Sequence, residues 1–296
     1  PNNRDTNTKM RDSSAISMPT DRKEELRERV SELTKISTIP SVLKKIIEVI
    51  EDKESTFADL EKVIERDQAI AARLVGASNA AFYGFPRKIS SISQAILVLG
   101  FEMVKGLAIS TTVFNTVSGN NRENLTGLWR HSFEVAMASV LVAKRTGLVN
   151  RESAFLAGLL HDIGRPIIYQ VCGKDYLDLC ALDKNCLERE AEVFGATHAE
   201  AGAWFADKCK LPDDCVRAIK FHHTPEAFIS EGNLASPLSA IVYLGNLVAI
   251  DCKDTYALIS THHTSVLKAL DLDTQALIEL TEEMTELKGN ITAFYS

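Results

Sequence analysis

Apolar residues in this chain recur every three to four positions and rarely alternate. From Ser41 to Asp52, Val42, Leu43, Ile46, Ile47, Val49 and Ile50 make one broad face, and Lys44, Lys45, Glu48 and Glu51 take the other. That is the period of an amphipathic helix rather than of a half-buried strand. Pro40 stands just ahead of it, where a helix tolerates proline. Thr56, with Asp59 three residues on, has the spacing of a capping box and opens a short helix to about Arg66. Asp67 caps the next helix, Gln68 to Ser78, which ends at Asn79. Gly84, Phe85 and Pro86 form a loop. Ser91 or Ser93 caps a helix to Leu99, closed by Gly100, and another apolar helix covers Glu102 to Val117. Ser118-Gly119-Asn120-Asn121 is a turn cluster and the best internal boundary.

Beyond that cluster the helices lengthen. They cover Leu128 to Thr146, Glu152 to Leu160, Glu188 to Lys208 (one helix or two about Gly195), Asp213 to Phe221, Leu238 to Ile250 and Asp273 to Leu287. Gly164 and Pro166 break the pattern after Leu160. No run alternates convincingly enough for a strand. The expected fold is all-α, with an N-terminal bundle of short helices (21–118) packed on a C-terminal helical bundle (119–296). Residues 1–20, rich in Asn, Ser, Thr and Asp, read as a disordered lead.

Composition narrows the function. Of the 296 residues, 45 % are hydrophobic, enough to bury a proper core. A net charge of -7 without a basic run disfavours nucleic acid as a partner; Arg87, Lys88 and Lys105 are too few for a footprint. The longest apolar runs, such as Ile241 to Ile250, fall short of the roughly 20 residues that span a bilayer, so no membrane insertion is expected. Residues 1–20 lack the apolar core of a signal peptide. None of the 6 cysteines, at 172, 180, 186, 209, 215 and 252, sits in a C-x-x-C pair. They read as free thiols in a reducing cytoplasm.

The candidate chemistry is a scatter of histidines. His131, His161, His198, His222 and His223 are five of the chain's 7, and Asp162 adjoins His161. Imidazole and carboxylate hold divalent ions such as zinc, iron, manganese or nickel. Taken alone, these residues leave open both a metal pocket and a set of hydrogen-bonded core histidines. His262-His263, in an expected loop at Thr261 to Thr264, reads as a solvent-exposed pair. Trp129 and Trp204 read as core anchors beside the pocket, and Asn79 as a helix terminus.

Leu159-Leu160-His161-Asp162-Ile163-Gly164 resembles the signature of the HD superfamily of metal-dependent phosphohydrolases. Ile39-Pro40, Arg66-Asp67, Ala77 through Gly84 and Ser91 through Gly100 narrow the resemblance to the HDOD (HD-related output domain) family, from about Leu33 to Ile250. The resemblance implies an HD-type helical bundle for the second half. It implies His131 as first ligand, His161 and Asp162 as the doublet, and His198, His222 and His223 as extra ligands for one or two ions. Three departures stand out. Active HD proteins end the set with Asp, and here Asn246 offers a neutral amide oxygen, a weak ligand. Related cyclic-dinucleotide hydrolases carry Lys where Arg165 stands; Arg165 is kept as a phosphate contact. Those hydrolases also have Gly-Tyr-Pro after the paired histidines, where this chain reads Thr224-Pro225-Glu226-Ala227.

The expectation is therefore a bacterial, cytoplasmic signalling output module that binds a partner protein and is free of catalysis, with a retained or degenerate metal site and room for a nucleotide ligand. The alternative is a metal-dependent phosphohydrolase acting on a nucleotide or phosphate ester.

Overall fold

The computed structural model describes residues 19–33, 41–79, 89–116, 122–173, 176, 186–230, 233–250 and 261–295. The short-helix region forms as its pattern predicts. Helix α1 spans Pro19–Leu33, α2 Ser41–Glu51, α3 Phe57–Ile64 and α4 Gln68–Ser78. Thr56 and Asp59 complete a reciprocal capping box at α3. The Asp67 carboxylate accepts from Ala69 and Ile70 N–H at α4, satisfying donors that the first helical turn leaves free. Asn79 ends α4. Its side chain donates to the Val75 and Ile89 carbonyls and accepts from Ile89 N–H, tying the helix end to the start of the next segment. The expected loop at Gly84–Pro86 and turn at Ser118–Asn121 lie outside the described residues.

Helix α5, Ile92–Thr116, is two helices across a kink at Gly100, whose φ of 74° is the left-handed region that glycine enters freely. This long element is apolar enough to cross a membrane by length and composition, unlike the short runs read from the sequence. It is a core helix here: Met103, Val104, Leu107 and Ala108 are buried, and it packs on α4 and on α7 of the second half.

The second half is built from α6 (Arg122–Thr146), α7 (Arg151–Leu160), α8 (Gly164–Cys172), α9 (Cys186–Phe194), α10 (His198–Lys208), α11 (Asp213–Phe221), α12 (Pro237–Ala249), α13 (Thr261–Ala269) and α14 (Thr274–Tyr295). Helix α6 is central and packs on α7, α12 and α14, while α10 packs on α8 and α11. Helix α1 lies mainly against α8, α9 and α10. Its Lys23 pairs with Glu200, and its Arg27 sits over Trp204 at 5.9 Å. Strand structure among the described residues is one two-residue antiparallel pair, Ile229–Ser230 with Asn233–Leu234. The fold is all-α.

Two local expectations need correction. Gly164 and Pro166 do not break the helical pattern but start α8, since proline in a first turn removes an N–H that has no helical acceptor there. His263 lies in α13 rather than in an exposed loop. It is half-buried, and its Nδ1 is 2.8 Å from the Tyr243 hydroxyl. Trp129 is buried, whereas Trp204 is half-buried beneath α1.

Candidate metal centre

The candidate ligands come from the ends and faces of five helices. His131 is on α6. His161 and Asp162 follow α7 in the tight turn into α8, His198 opens α10, and His222 and His223 follow α11. Thr197 and Glu200 form a capping box that starts α10 at His198. A Cβ at Gly164 would stand 1.8 Å from the His198 carbonyl oxygen, so only glycine lets the His161-Asp162 turn approach α10 this closely.

All six residues converge. Asp162, His198, His222 and His223 bring ligand atoms within 4.8 Å of one another, and so do His131, His161 and Asp162. Asp162 belongs to both sets. His198 Nε2 is 3.0 Å and His222 Nε2 3.5 Å from Asp162 Oδ1, and His161 Nε2 is 3.6 Å from Oδ2. The His131 and His161 rings are 5.2 Å apart, and the His222 and His223 rings 4.0 Å. His161, His198 and His222 are fully buried, and Asp162 nearly so.

Hydrogen bonds set the ring protons. His161 Nδ1 is 2.8 Å from the Gly158 carbonyl and His222 Nδ1 is 2.7 Å from the Ile219 carbonyl. A carbonyl only accepts, so each Nδ1 carries the proton and each Nε2 presents a lone pair. Those two Nε2 atoms and Asp162 Oδ1 are buried without a well-aligned hydrogen-bond partner. Such orphans are rare in folded proteins. Lone pairs on neutral imidazole beside an ionised carboxylate are what a divalent cation requires, so the residues fit a metal.

The electrostatics agree. Burial, only partly opposed by Asp162, holds His161 well below the ordinary imidazole value, and burial likewise lowers His222. Burial and then the neighbouring His222 imidazole lower His223. His198 moves the other way. Burial and Arg165 push it down, but Asp162 and Glu190 on its two sides push it up by more. Burial would raise Asp162, but Arg165, His161 and His198 together hold it well below the usual carboxylate range. Asp162 and Glu190 are the two carboxylates of this pocket, and Arg165 and His198 are the groups that hold them ionised.

Arg165 Nε donates to Asp162 Oδ2 at 2.9 Å, so the guanidinium read as a phosphate contact is engaged by the shared carboxylate. Asn246 is half-buried on α12, and its Oδ1 has no hydrogen-bond partner. The sequence pattern overlooks Glu190, which is fully buried and bonded to His198. In Leu187-Glu188-Arg189-Glu190-Ala191-Glu192 nothing sets it apart from surface charge.

The family model for the HDOD domain matches residues 36–225. The chain belongs to the HDOD family. An uncharacterized protein of Treponema pallidum (strain Nichols) is 25% identical over 195 residues, 64% of this chain, and the match spans 37% of that relative. Among solved HDOD-like folds, a candidate phosphohydrolase from Shewanella amazonensis SB2B superposes with a TM-score of 0.68 at 23% identity, over 92% of this chain and 98% of that one. A candidate signal transduction protein from Marinobacter aquaeolei VT8 gives 0.66 at 20% identity, over 94% of this chain and 65% of that one. At these identities the likeness is one of fold. The His/Asp cluster of this HDOD chain could hold a metal.

Proposed function

We propose that this protein is a metal-binding signalling output module that does not turn over phosphate esters. The observation that carries the reading is Asn246, a neutral amide where the HD pattern ends in a carboxylate. Changes outside the ligand shell typically cost about 10–100-fold in metal affinity or activity, and a lost ligand charge costs at least as much. The Arg165–Asp162 pair points the same way, because the cation that would meet a phosphate is already bound. His131, His161, Asp162, His198, His222 and His223 would hold one or two ions of iron, manganese, zinc or nickel. A bound ion stabilises the folded state over the unfolded chain.

The recognised ligand is a signalling protein. Phe57 and Leu97 expose apolar surface on the short-helix half, which supports docking there. The bacterial relatives support a bacterial source, and the buried thiols of Cys209 and Cys215 suit a reducing cytoplasm.

One observation favours the hydrolase reading: two ligand sets share one carboxylate, the layout of two-metal sites. In such sites the ions lower the pKa of water and clamp the phosphate. Arg165 would have to leave Asp162 to help. The test is an assay of the metal-loaded protein on nucleotides, cyclic nucleotides and simple phosphate esters. The signalling reading expects no turnover above the metal-free control. Turnover that disappears in His161→Ala would overturn it in favour of the hydrolase.

A further inference from the structure

Glu190 belongs to neither ligand set, yet among the described residues it is the most completely buried carboxylate. It sits on α9, one helix before the His198 that opens α10. Four donors converge on it. The His198 backbone N–H donates to Oε2 at 2.7 Å, and His198 Nδ1 lies 2.8 Å from the same oxygen. The Tyr176 hydroxyl donates to Oε1 at 2.8 Å, and the Cys186 thiol to Oε1 at 3.2 Å. A buried carboxyl that meets four donors is an ionised acceptor, and an amide in its place would turn an N–H toward at least one of those donors.

The other two buried imidazoles have weaker support. His161 and His222 give their Nδ1 protons to the backbone carbonyls of Gly158 and Ile219, which carry no charge. His198 alone of these three rests on an anion. An imidazole backed by a carboxylate is a more basic donor at its other nitrogen, and its ring orientation is fixed before the metal arrives. Glu190 grips both the ring and the backbone of His198, so it fixes the ring at its root as well as its tip.

We propose that Glu190 is a positioning residue that makes Asp162, His198, His222 and His223 the tighter of two divalent-cation sites and the first to fill. The His131–His161–Asp162 set, with no anion behind its imidazoles among the described contacts, fills second. This inference rests on the metal-binding reading above.

The test is titration of the metal-free full chain with Co²⁺, followed by calorimetry and by the visible absorption of the bound ion. The wild type binds in two steps. Glu190→Gln weakens the tighter step by about 10–100-fold and alters the absorption of the first-bound Co²⁺, leaving the weaker step near its wild-type value. Glu190→Asp, which keeps the charge but not the reach, weakens the same step by less; it serves also if the Gln variant fails to fold. His131→Ala loses the weaker step and keeps the tighter one. Circular dichroism and melting of the metal-free variants check that the fold is intact. Equal weakening of both steps, or no change in either, overturns the role of Glu190 while two-step wild-type binding leaves the metal reading standing. A wild type that binds no Co²⁺ overturns both.

Discussion

Between Ser41 and Leu99 the buried positions are almost all aliphatic: Leu43, Ile46, Leu60, Ile64, Ile70, Leu74, Ile96 and Leu99 are each 2% exposed or less. Between His131 and His223 an equally dry interior holds His161, Asp162, Glu190, His198 and His222. The first region is held by packing and helix caps, the ordinary sources of stability. The second encloses ionisable groups at a desolvation cost and leaves several of their atoms without hydrogen-bond partners. The difference teaches that the second interior gives up stability to keep His161 Nε2, His222 Nε2 and Asp162 Oδ1 together, a set that could hold a cation.

The predictions separate the two interiors. The largest effect should come from Asp162→Ala, because Asp162 is common to both ligand sets. Metal content should fall to background and the melting-temperature gain from added metal should vanish, as read by elemental analysis and thermal denaturation. Loss of only one ion would break the shared-carboxylate account.

Ile64→Ala should do the reverse. Ile64 is 0% exposed, and such a truncation typically costs about 2–5 kcal/mol of stability. Denaturant melts should show the loss, while the metal bound per folded molecule stays unchanged.

Acid should also act through the second interior. His161, His222 and His223 have pKa values lowered by burial, so below about pH 6.5 the unfolded chain takes up protons that the folded chain refuses, and stability falls. The raised His198 acts oppositely but is one group against three. Asp162 and Glu190 are lowered, so their contribution is present above the ordinary carboxylate range and is lost as pH falls through their folded values. Metal-free protein should thus melt at lower temperature as pH drops below about 6.5, and lower again below about 4. A flat profile from pH 7 to 4 would contradict this.

Asn246→Asp should sharpen the functional side. Restoring a carboxylate should raise metal affinity by about tenfold or more, measured by competition with a chelator. No gain would mean that Asn246 does not face the ions. The smallest effect belongs to a cap. Asp67→Ala should cost about 1 kcal/mol, seen as a modest drop in the denaturation midpoint, with metal binding untouched.

These regions also differ in how far their sequences could be read. The short helices announce themselves through period and caps, as Thr56-x-x-Asp59 and Asp67 show, because those signals are local. The six candidate ligands were legible as residue types and through family resemblance, but their convergence depends on contacts between helices far apart in sequence. Three features were not legible. Glu190 reads as surface charge until α9 is seen to turn it toward His198. Gly164 reads as a breaker, whereas it is small because α8 crosses the start of α10. His263 reads as a loop residue, but its helix is set by packing beside Tyr243 on α12. Each depends on a long-range contact that overrides a local preference.

The most direct test is the metal content of the purified full chain by plasma mass spectrometry, after incubation with Mn, Fe or Zn and removal of loose metal, beside Asp162→Ala. The account predicts one or two equivalents of a transition metal in the wild type and none in the variant. A wild type that carries no metal under any of these conditions would contradict it and leave the buried histidines as a polar core without a ligand.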